Sequence, residues 1–386
     1  MPQRQNKVEF FELFFDLVYV FTLIQITRDI AADGDVIGIA HGTVVLILVW
    51  WVWVSFTSLA NMGLPRDTQR DWRPLIFAAG MGLLLLIALS IPRAFWDNSL
   101  LFAYSYLGLA LLALGGQLWV TRSDPQQHRA VRRAATISML LPLSLVVSAY
   151  VSNETASLVI IVIGLTAAIL APVSSGYDAW RINPDHLAER YGLFMLITLG
   201  EFIISIGEGA TKAAMSPLLI AMVLVSLLLV IILWRHYFIE VLRTGEARLH
   251  ELHGRQLVRF ARYGYSFLHL AMVLGIVLAA VALKSAMVDL TTPLDDLAEA
   301  LLPLGVAIFL AATTVYSALA RGSVPRLTLA AVVILAALTV VGPRLPTAIL
   351  IVIVTVIAML CLDPRTIGQR TADATKHPSA DLDEIG

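Results

Sequence analysis

The chain alternates between long apolar runs and short polar connectors along nearly its whole length. A helix needs about 20 mostly apolar residues to cross the hydrocarbon core of a bilayer, and twelve runs approach that length. They cover residues 10–27, 36–60, 75–92, 99–120, 134–151, 155–173, 191–207, 217–238, 260–283, 297–320, 327–341 and 347–362. The pattern predicts an all-α, polytopic transmembrane helical bundle of about twelve helices. The link at 342–346 is short, so the last two runs could instead form a re-entrant hairpin.

Composition supports a membrane protein and narrows its chemistry. With 58% hydrophobic and 14% charged residues and a mean hydropathy of +0.81, a soluble fold is excluded. A net charge of −1 without a basic face gives no footprint for nucleic acid. Cys361 is the single cysteine, so neither an intrachain disulfide nor a cysteine metal cage can form. We therefore expect no metal and no cofactor.

Basic residues are distributed unevenly between the two sets of connectors. The N-terminus, the even-numbered connectors and the C-terminal tail hold 22 of the 27 Lys and Arg residues, and the odd-numbered connectors hold 5. Cytoplasmic connectors collect Lys and Arg, so both termini are predicted to lie in the cytoplasm. Residues 243–257 are too polar to cross and predict a solvated connector helix in preference to one lying on the membrane surface. Residues 363–386 predict a disordered cytoplasmic tail.

A weak internal similarity suggests two halves, residues 1–176 and 177–362. Asp16 in the first run precedes Trp50 by 34 residues, and Glu201 in the seventh precedes Trp234 by 33. In both cases an acidic residue is followed by aromatic residues that we interpret as an interfacial belt at the cytoplasmic end of the next helix. Two six-helix halves would have the same orientation, related by an axis along the membrane normal.

Two groups of charged residues lie near the predicted cytoplasmic ends of the first and seventh helices. Glu9, Glu12 and Asp16 share one face of the first helix. Glu9 and Glu12 favour pairing with neighbouring basic side chains, whereas the deeper Asp16 is open to a functional role. On the seventh run, His186, Glu189 and Arg190 also share a face. They lack the second His of a zinc helix, so we interpret them as a helix-end ion pair or gate.

Further polar residues lie deeper in the membrane. Glu201 is about 15 Å from the cytoplasmic surface at 1.5 Å per residue, followed by Ser205 and Glu208. His269 is predicted at a similar depth on the ninth helix, one turn beyond Tyr265. A lone His on an apolar face is usually a satisfied core residue, but a buried Glu at the same depth makes a Glu–His proton relay an alternative. Asp16, Glu201, Ser205, Glu208, Tyr265 and His269 are the candidate path residues.

Three blocks in order resemble the bacterial low temperature requirement A family. The first is VEFFELFFDLVYVFTLIQIT at 8–27, the second is HLAERYGLFMLITLGEFIISIG at 186–207, and the third is the Tyr-rich RYGYSFLH at 262–269, preceded by Trp234, Tyr237 and Phe238. The resemblance implies a multi-pass protein of the bacterial inner membrane associated with growth in the cold. It does not supply a biochemical activity.

Three classes of function remain open. A proton-linked transporter or channel is favoured by twelve helices with few midplane acids, although no helix is broken at its middle by Pro and Gly. An intramembrane enzyme acting on lipid or isoprenoid would use Glu and His as acid and base, but the chain lacks a nucleophile motif or metal triad, which favours a non-enzymatic role. A non-catalytic stress sensor of the envelope is the third. Expected partners are membrane lipids, an unidentified small molecule or ion, and further copies of the chain, but not nucleic acid.

Overall fold

A computed structural model describes residues 8–62, 71–94, 99–174, 176–177, 179–291, 296–341 and 345–362. All regular structure in these ranges is helical. The predicted tail at 363–386 and residues 342–344 of the last link lie outside the described residues, so neither the disordered tail nor the re-entrant alternative is tested. The all-α prediction is confirmed.

Within the described ranges, twelve apolar helices occupy the twelve predicted positions. Nine of those described are long and apolar enough to cross a bilayer, and the sixth, eleventh and twelfth are shorter. At 1.5 Å per residue these three reach roughly 21–26 Å, less than the 30 Å hydrocarbon core. The helices are α1 (Phe10–Ala32), α2 (Val36–Asn61), α3 (Arg73–Ser90), α4 (Ser99–Ser123), α5 (Pro125–Ser148), α6 (Thr155–Ala171), α7 (Pro184–Ala210), α8 (Pro217–Glu251), α9 (Gly254–Ala286), α10 (Leu297–Arg321), α11 (Arg326–Val340) and α12 (Thr347–Leu360).

Helices α1, α7 and α9 pack on one another at the centre of the bundle. In the first half α1 also packs on α2 and α3, and α4, α5 and α6 continue outward from α3. In the second half α8 packs on α7, and α10 packs on α9. Helix α11 packs on α10 and α12 packs on α8, further from the centre. The central position of α1, α7 and α9 lets their charged side chains contact protein partners instead of lipid.

Helices α1 and α7 run parallel. Three side-chain contacts between them, Glu12 with His186, Asp16 with Arg190 and Thr27 with Glu201, each join residues separated by 174 positions. A constant separation over 15 residues requires two helices that advance in the same direction. This is the relation expected for the first helices of two halves in the same orientation, although the repeat itself stays a prediction.

The connector predicted at 243–257 takes a different form. Helix α8 continues without a break through a π-helical segment, His236–Leu242, into Arg243–Glu251. The far end of this extension is anchored because Leu249 is fully buried. The stretch is partly helical and largely exposed, as predicted, but it extends a long helix instead of forming a separate one, and one face of the extension packs into the protein.

A close backbone approach occurs where α9 crosses α10. A Cβ atom added to Gly275 would lie 2.5 Å from the carbonyl oxygen of Gly305, and one added to Gly305 would lie 2.4 Å from that of Gly275. Two glycines facing each other allow the helices to touch, which strengthens packing where the hydrophobic effect is absent.

We expect Gly275→Ala to destabilise the fold by about 1–3 kcal/mol, because the added methyl must push two backbones apart. Gly115→Ala is the matched control, since a Cβ there meets no atom within 4 Å and Ala is the better helix former. Thermal unfolding in detergent should show a lower midpoint for Gly275→Ala and an unchanged or higher one for Gly115→Ala. Equal midpoints would contradict the crossing.

Candidate functional site

The first polar layer between α1 and α7 is built on Asp16 and Arg190, both fully buried. The guanidinium donates from Nη1 to Asp16 Oδ2 at 2.7 Å and from Nη2 to Oδ1 at 3.0 Å. Such a two-point pair matches the geometry of a carboxylate. Trp53 Nε1 donates to Asp16 Oδ1 at 3.0 Å, so the carboxylate has three donors. We call these three residues the Asp16 layer. The Asp16 carboxylate and the Arg190 guanidinium bind each other at two points, so few of their hydrogen-bonding positions stay free.

Glu12 and His186 extend this layer toward the helix starts. His186 Nε2 lies 3.0 Å from Glu12 Oε2, and Arg190 Nε lies 3.5 Å from the same oxygen. Glu9 stands at the N-cap of α1, where it forms a reciprocal capping box with Glu12. Glu189 accepts from the backbone N–H of Val8 at 3.1 Å. The contacts of Glu12, His186 and Arg190 agree with the interpretation as a helix-end ion-pair cluster, whereas Glu9 and Glu189 accept from backbone N–H groups.

The tryptophans of α2 do not form an interfacial belt. Trp50 and Trp53 are 1% and 0% exposed, and they stack on each other with ring centroids 5.2 Å apart. Trp50 Nε1 donates to the Ser266 carbonyl of α9 at 2.8 Å. The belt interpretation is wrong for these residues because their indole N–H groups have partners inside the protein, which removes the need for an interfacial position.

The second layer, the Glu201 layer, lies about three turns further along the same two helices. Glu201 is fully buried. Its Oε1 contacts Thr27 Oγ1 at 2.8 Å and Ser205 Oγ at 2.7 Å, while Oε2 is buried without a hydrogen-bond partner. No ion pair of Glu201 is present among the residues described. Hydroxyl groups alone hold this carboxyl, in contrast to the guanidinium that holds Asp16.

An apolar segment separates the two layers. Asp16 and Thr27 are roughly 16 Å apart along α1 at 1.5 Å per residue. Between them Tyr19 and Leu23 are buried, and Tyr19 packs against Phe194 of α7 with ring centroids 5.9 Å apart. The Tyr19 hydroxyl lies 3.4 Å from the Val49 carbonyl oxygen and is directed toward α2. This segment, the aromatic plug, separates the polar layers.

The third layer opens at the opposite end of α1 and α7. Glu208 pairs with Arg28 of α1 and with Lys284 of α9, whose Nζ lies 2.7 Å from Oε2. These groups and Lys212 line a cleft of about 450 Å³. Arg28, Lys212 and Lys284 are three of the five basic residues on the odd-numbered connectors. Because these three basic residues outnumber the one acidic residue, Glu208, the cleft is positively charged.

His269 has partners of its own, apart from Glu201. Its Nδ1 lies 2.8 Å from the Gly264 carbonyl oxygen and its Nε2 lies 2.9 Å from the Tyr237 hydroxyl. A carbonyl only accepts, so Nδ1 carries a proton, and Nε2 of the neutral ring accepts from Tyr237. Tyr265 stacks on the imidazole with centroids 4.9 Å apart. Both ring nitrogens are satisfied, which fits the alternative of a core histidine, and a relay to Glu201 would need intervening groups.

Two π-helical segments flank this histidine: His236–Leu242 in α8 supplies Tyr237, and Ala261–Leu268 in α9 supplies Tyr265. Such segments are rare and often mark functional sites. Here each wider turn places an aromatic side chain beside His269. The described residues contain no group of three or more His, Cys, Asp or Glu that could hold a metal ion.

Several residues of the layers were not among the predicted site residues. Thr27 and Trp53 have no charge in an apolar run and give no signal in one sequence. Arg28 and Lys284 do give a signal, because the odd-numbered connectors hold only five basic residues. Two of those five contact one carboxylate, that of Glu208. Near the end of α7, a Cβ added to Gly209 would lie 2.3 Å from the Lys284 carbonyl oxygen, whereas one added to Gly200 or Gly207 would meet no atom within 4 Å.

Twelve apolar helices with ion pairs between the central ones define a polytopic integral membrane protein. The sequence model of the family described as bacterial low temperature requirement A protein matches residues 7–362. The chain therefore belongs to that family. It is also 28% identical to an uncharacterized protein of Rhizobium meliloti over 288 residues, which cover 72% of this chain and 69% of the relative. No solved structure matches it.

Proposed function

We propose that the chain is a proton-linked transporter of the bacterial inner membrane, with its path along the α1–α7 interface and Glu201 as the group that takes up and releases the proton. The observation that carries the proposal is the Glu201 layer. A fully buried carboxyl held only by hydroxyl groups, with one oxygen left unpartnered, is an expensive arrangement in a membrane and points to a function.

The contacts of Thr27 suit both protonation states of Glu201. The Thr27 hydroxyl lies 2.8 Å from Glu201 Oε1 and also 3.0 Å from the Ile24 carbonyl oxygen. When Glu201 is ionised, the hydroxyl can donate to the carboxylate. When Glu201 is protonated, the acid can donate to the hydroxyl, which in turn donates to the Ile24 carbonyl. A proton can thus arrive and leave without a backbone rearrangement.

The surroundings of this layer fit alternating access. The 450 Å³ cleft lies at Glu208, two turns beyond Glu201 on α7, and the aromatic plug lies on the other side of Glu201, toward the Asp16 layer. In the proposed cycle the fully buried Glu201 would be exposed in turn toward the cleft and toward the Asp16 layer. The parallel α1 and α7 would be the elements that move relative to each other.

The test uses purified protein in liposomes that contain a pH-sensitive dye, with an imposed pH gradient and an ionophore that balances charge. We expect proton flux, alone or on addition of candidate solutes, that wild-type protein supports and empty liposomes do not. Glu201→Gln should abolish it. Flux that Glu201→Gln retains in full would overturn the assignment of Glu201.

A non-catalytic envelope sensor is the second candidate, and the Asp16 layer favours it. Its carboxylate, guanidinium and indole N–H satisfy one another and resemble a structural clamp. Under this alternative, charge-neutral substitutions at Glu201 would leave low-temperature growth intact.

The proposed orientation has its own test. We expect a fluorescent reporter active only in the cytoplasm to give signal when fused after the last residue, because 22 of 27 basic residues lie on that side. A phosphatase active only outside the cytoplasm should stay silent at the same position. The opposite pair of results would invert the topology and place the positively charged cleft in the cytoplasm.

A further inference from the structure

A second cavity lies away from the α1–α7 layers, between the two halves of the chain. Its volume is about 230 Å³, and α2, α4 and α5 form one wall while α9 and the start of α7 form the other. Helix α1 contributes no lining residue. The cavity is at the end of the bundle that holds Asn61 and His186, opposite to the 450 Å³ cleft. It is several times larger than the volume of about 30 Å³ that one water occupies.

Three buried polar atoms on residues that line this cavity lack a hydrogen-bond partner within the described part of the chain. They are Trp51 Nε1, Thr57 Oγ1 and Arg262 Nη1. Their residues are 9%, 2% and 7% exposed. A buried polar group without a hydrogen-bond partner is costly, so three such groups around one cavity indicate that a bound molecule supplies the partner.

The guanidinium of Arg262 is held in place while Nη1 stays unpartnered. Its Nη2 donates to the Gly176 carbonyl at 3.3 Å, and its Cζ lies 4.5 Å from the centroid of the Tyr177 ring. Both contacts fix the group without neutralising its charge. A positioned arginine of this kind is suited to a carboxylate or a phosphate.

The remaining lining is mostly apolar, with neutral polar side chains and two arginines. Among the described residues, two arginines, Arg181 and Arg262, line the cavity, and no Asp or Glu does. Arg181 already pairs with Asp124 at 2.8 Å, whereas Arg262 has no carboxylate partner in the described part of the chain. Much of the rest of the wall is alanine, leucine, valine and methionine. A ligand that fits must join a negative group to an apolar body.

We propose that this cavity is a binding site for an anionic amphiphile, in which Arg262 and Trp51 donate to a carboxylate or phosphate group and the apolar wall takes the ligand's hydrocarbon part. The site is distinct from the proton path and does not depend on it. Either a free organic acid or the headgroup of an anionic phospholipid carries the required chemistry.

The probe is octanoate, measured by equilibrium dialysis against protein in nanodiscs of phosphatidylcholine, with empty nanodiscs subtracted. We expect saturable binding of one octanoate per chain. Octanol and octylammonium, which keep the chain length and change the head, should bind roughly 10- to 100-fold more weakly, the loss expected when a hydrogen-bonded charge is removed. Equal affinity for octanoate and octanol would overturn the proposal.

Variants locate the site. Arg262→Gln should weaken octanoate binding about 10-fold or more, and Trp51→Phe, which removes the indole N–H, should weaken it less. Arg262→Lys keeps the charge and should retain the preference for octanoate over octanol. Arg259→Gln is the matched control, because Arg259 is exposed on the same helix and does not line the cavity. If Arg259→Gln and Arg262→Gln lose binding equally, the cavity is not the site.

Two further arms separate folding from binding and one ligand source from the other. Unfolding midpoints of all variants should stay near wild type, and Trp51→Phe and Arg262→Lys keep the test valid if Arg262→Gln unfolds. Replacing part of the phosphatidylcholine with phosphatidylglycerol distinguishes the sources. Displacement of octanoate identifies a lipid headgroup as the occupant, and unchanged binding identifies a free acid.

Discussion

Replacing Arg190 with Gln is expected to destabilise the protein by about 3–5 kcal/mol, the cost of leaving a buried charge without its partner. Asp16 and Arg190 are both fully buried, and the pair joins α1 to α7 with two hydrogen bonds. In the variant only Trp53 still donates to the carboxylate. The measurement is unfolding in detergent, followed by circular dichroism.

The surface pair of Arg248 and Glu251 supplies the matched control. It has the same kind of contact at 2.8 Å, but its side chains are 37% and 63% exposed, so Arg248→Gln should cost no more than about 1 kcal/mol. Asp16→Asn combined with Arg190→Gln should recover part of the loss, because neither charge is then stranded. A cost for Arg190→Gln as small as that for Arg248→Gln would show that the layer is not a clamp.

The fold could be predicted from the sequence because a helix that crosses a membrane must be a long apolar run. Lengths of apolar runs give the helices, and the family blocks at 8–27 and 186–207 mark the two helices that carry Asp16 and Glu201. The ion pairs of Glu12, His186 and Arg190 could also be predicted. Acidic and basic residues at helical spacing near one membrane interface have few partners other than one another.

The partners across helices could not be predicted in the same way. Spacing along α1 places Glu12 and Asp16 on one face but does not say which helix they meet. The belt interpretation of Trp50 and Trp53 failed for a related reason: an aromatic residue near a helix end can face lipid headgroups or the core, and only packing decides. Depth alone suggested a Glu201–His269 pair, yet the direction of each side chain gives the two residues separate partners.

The contacts of Glu12, Asp16 and Thr27 share an offset of 174 residues, so the Asp16 layer and the Glu201 layer can be compared position by position along α1 and α7. Asp16 and Glu201 lie on opposite members of the same helix pair, one carried by α1 and the other by α7. Asp16 meets a guanidinium, and Glu201 meets a hydroxyl. The first layer therefore has a fixed charge balance, whereas the second can change its charge when it gains or loses a proton. This contrast makes Glu201 the more informative residue to change.

Glu201→Gln is expected to abolish proton coupling while leaving the fold intact. The amide keeps the size of the side chain, its Oε1 can still accept from Thr27 and Ser205, and only the titratable proton is lost. Infrared difference spectra recorded across a pH step should show the carbonyl band of a protonated carboxyl in wild type and lose it in the variant. The Glu208→Gln variant is the control, because Glu208 is paired with Arg28 and Lys284 and should not contribute that band.

In a strain lacking the protein, Glu201→Gln should express normally yet fail to restore growth at low temperature. Full restoration by Glu201→Gln, together with an unchanged infrared band, would assign the Glu201 layer to packing and favour the sensor over the transporter.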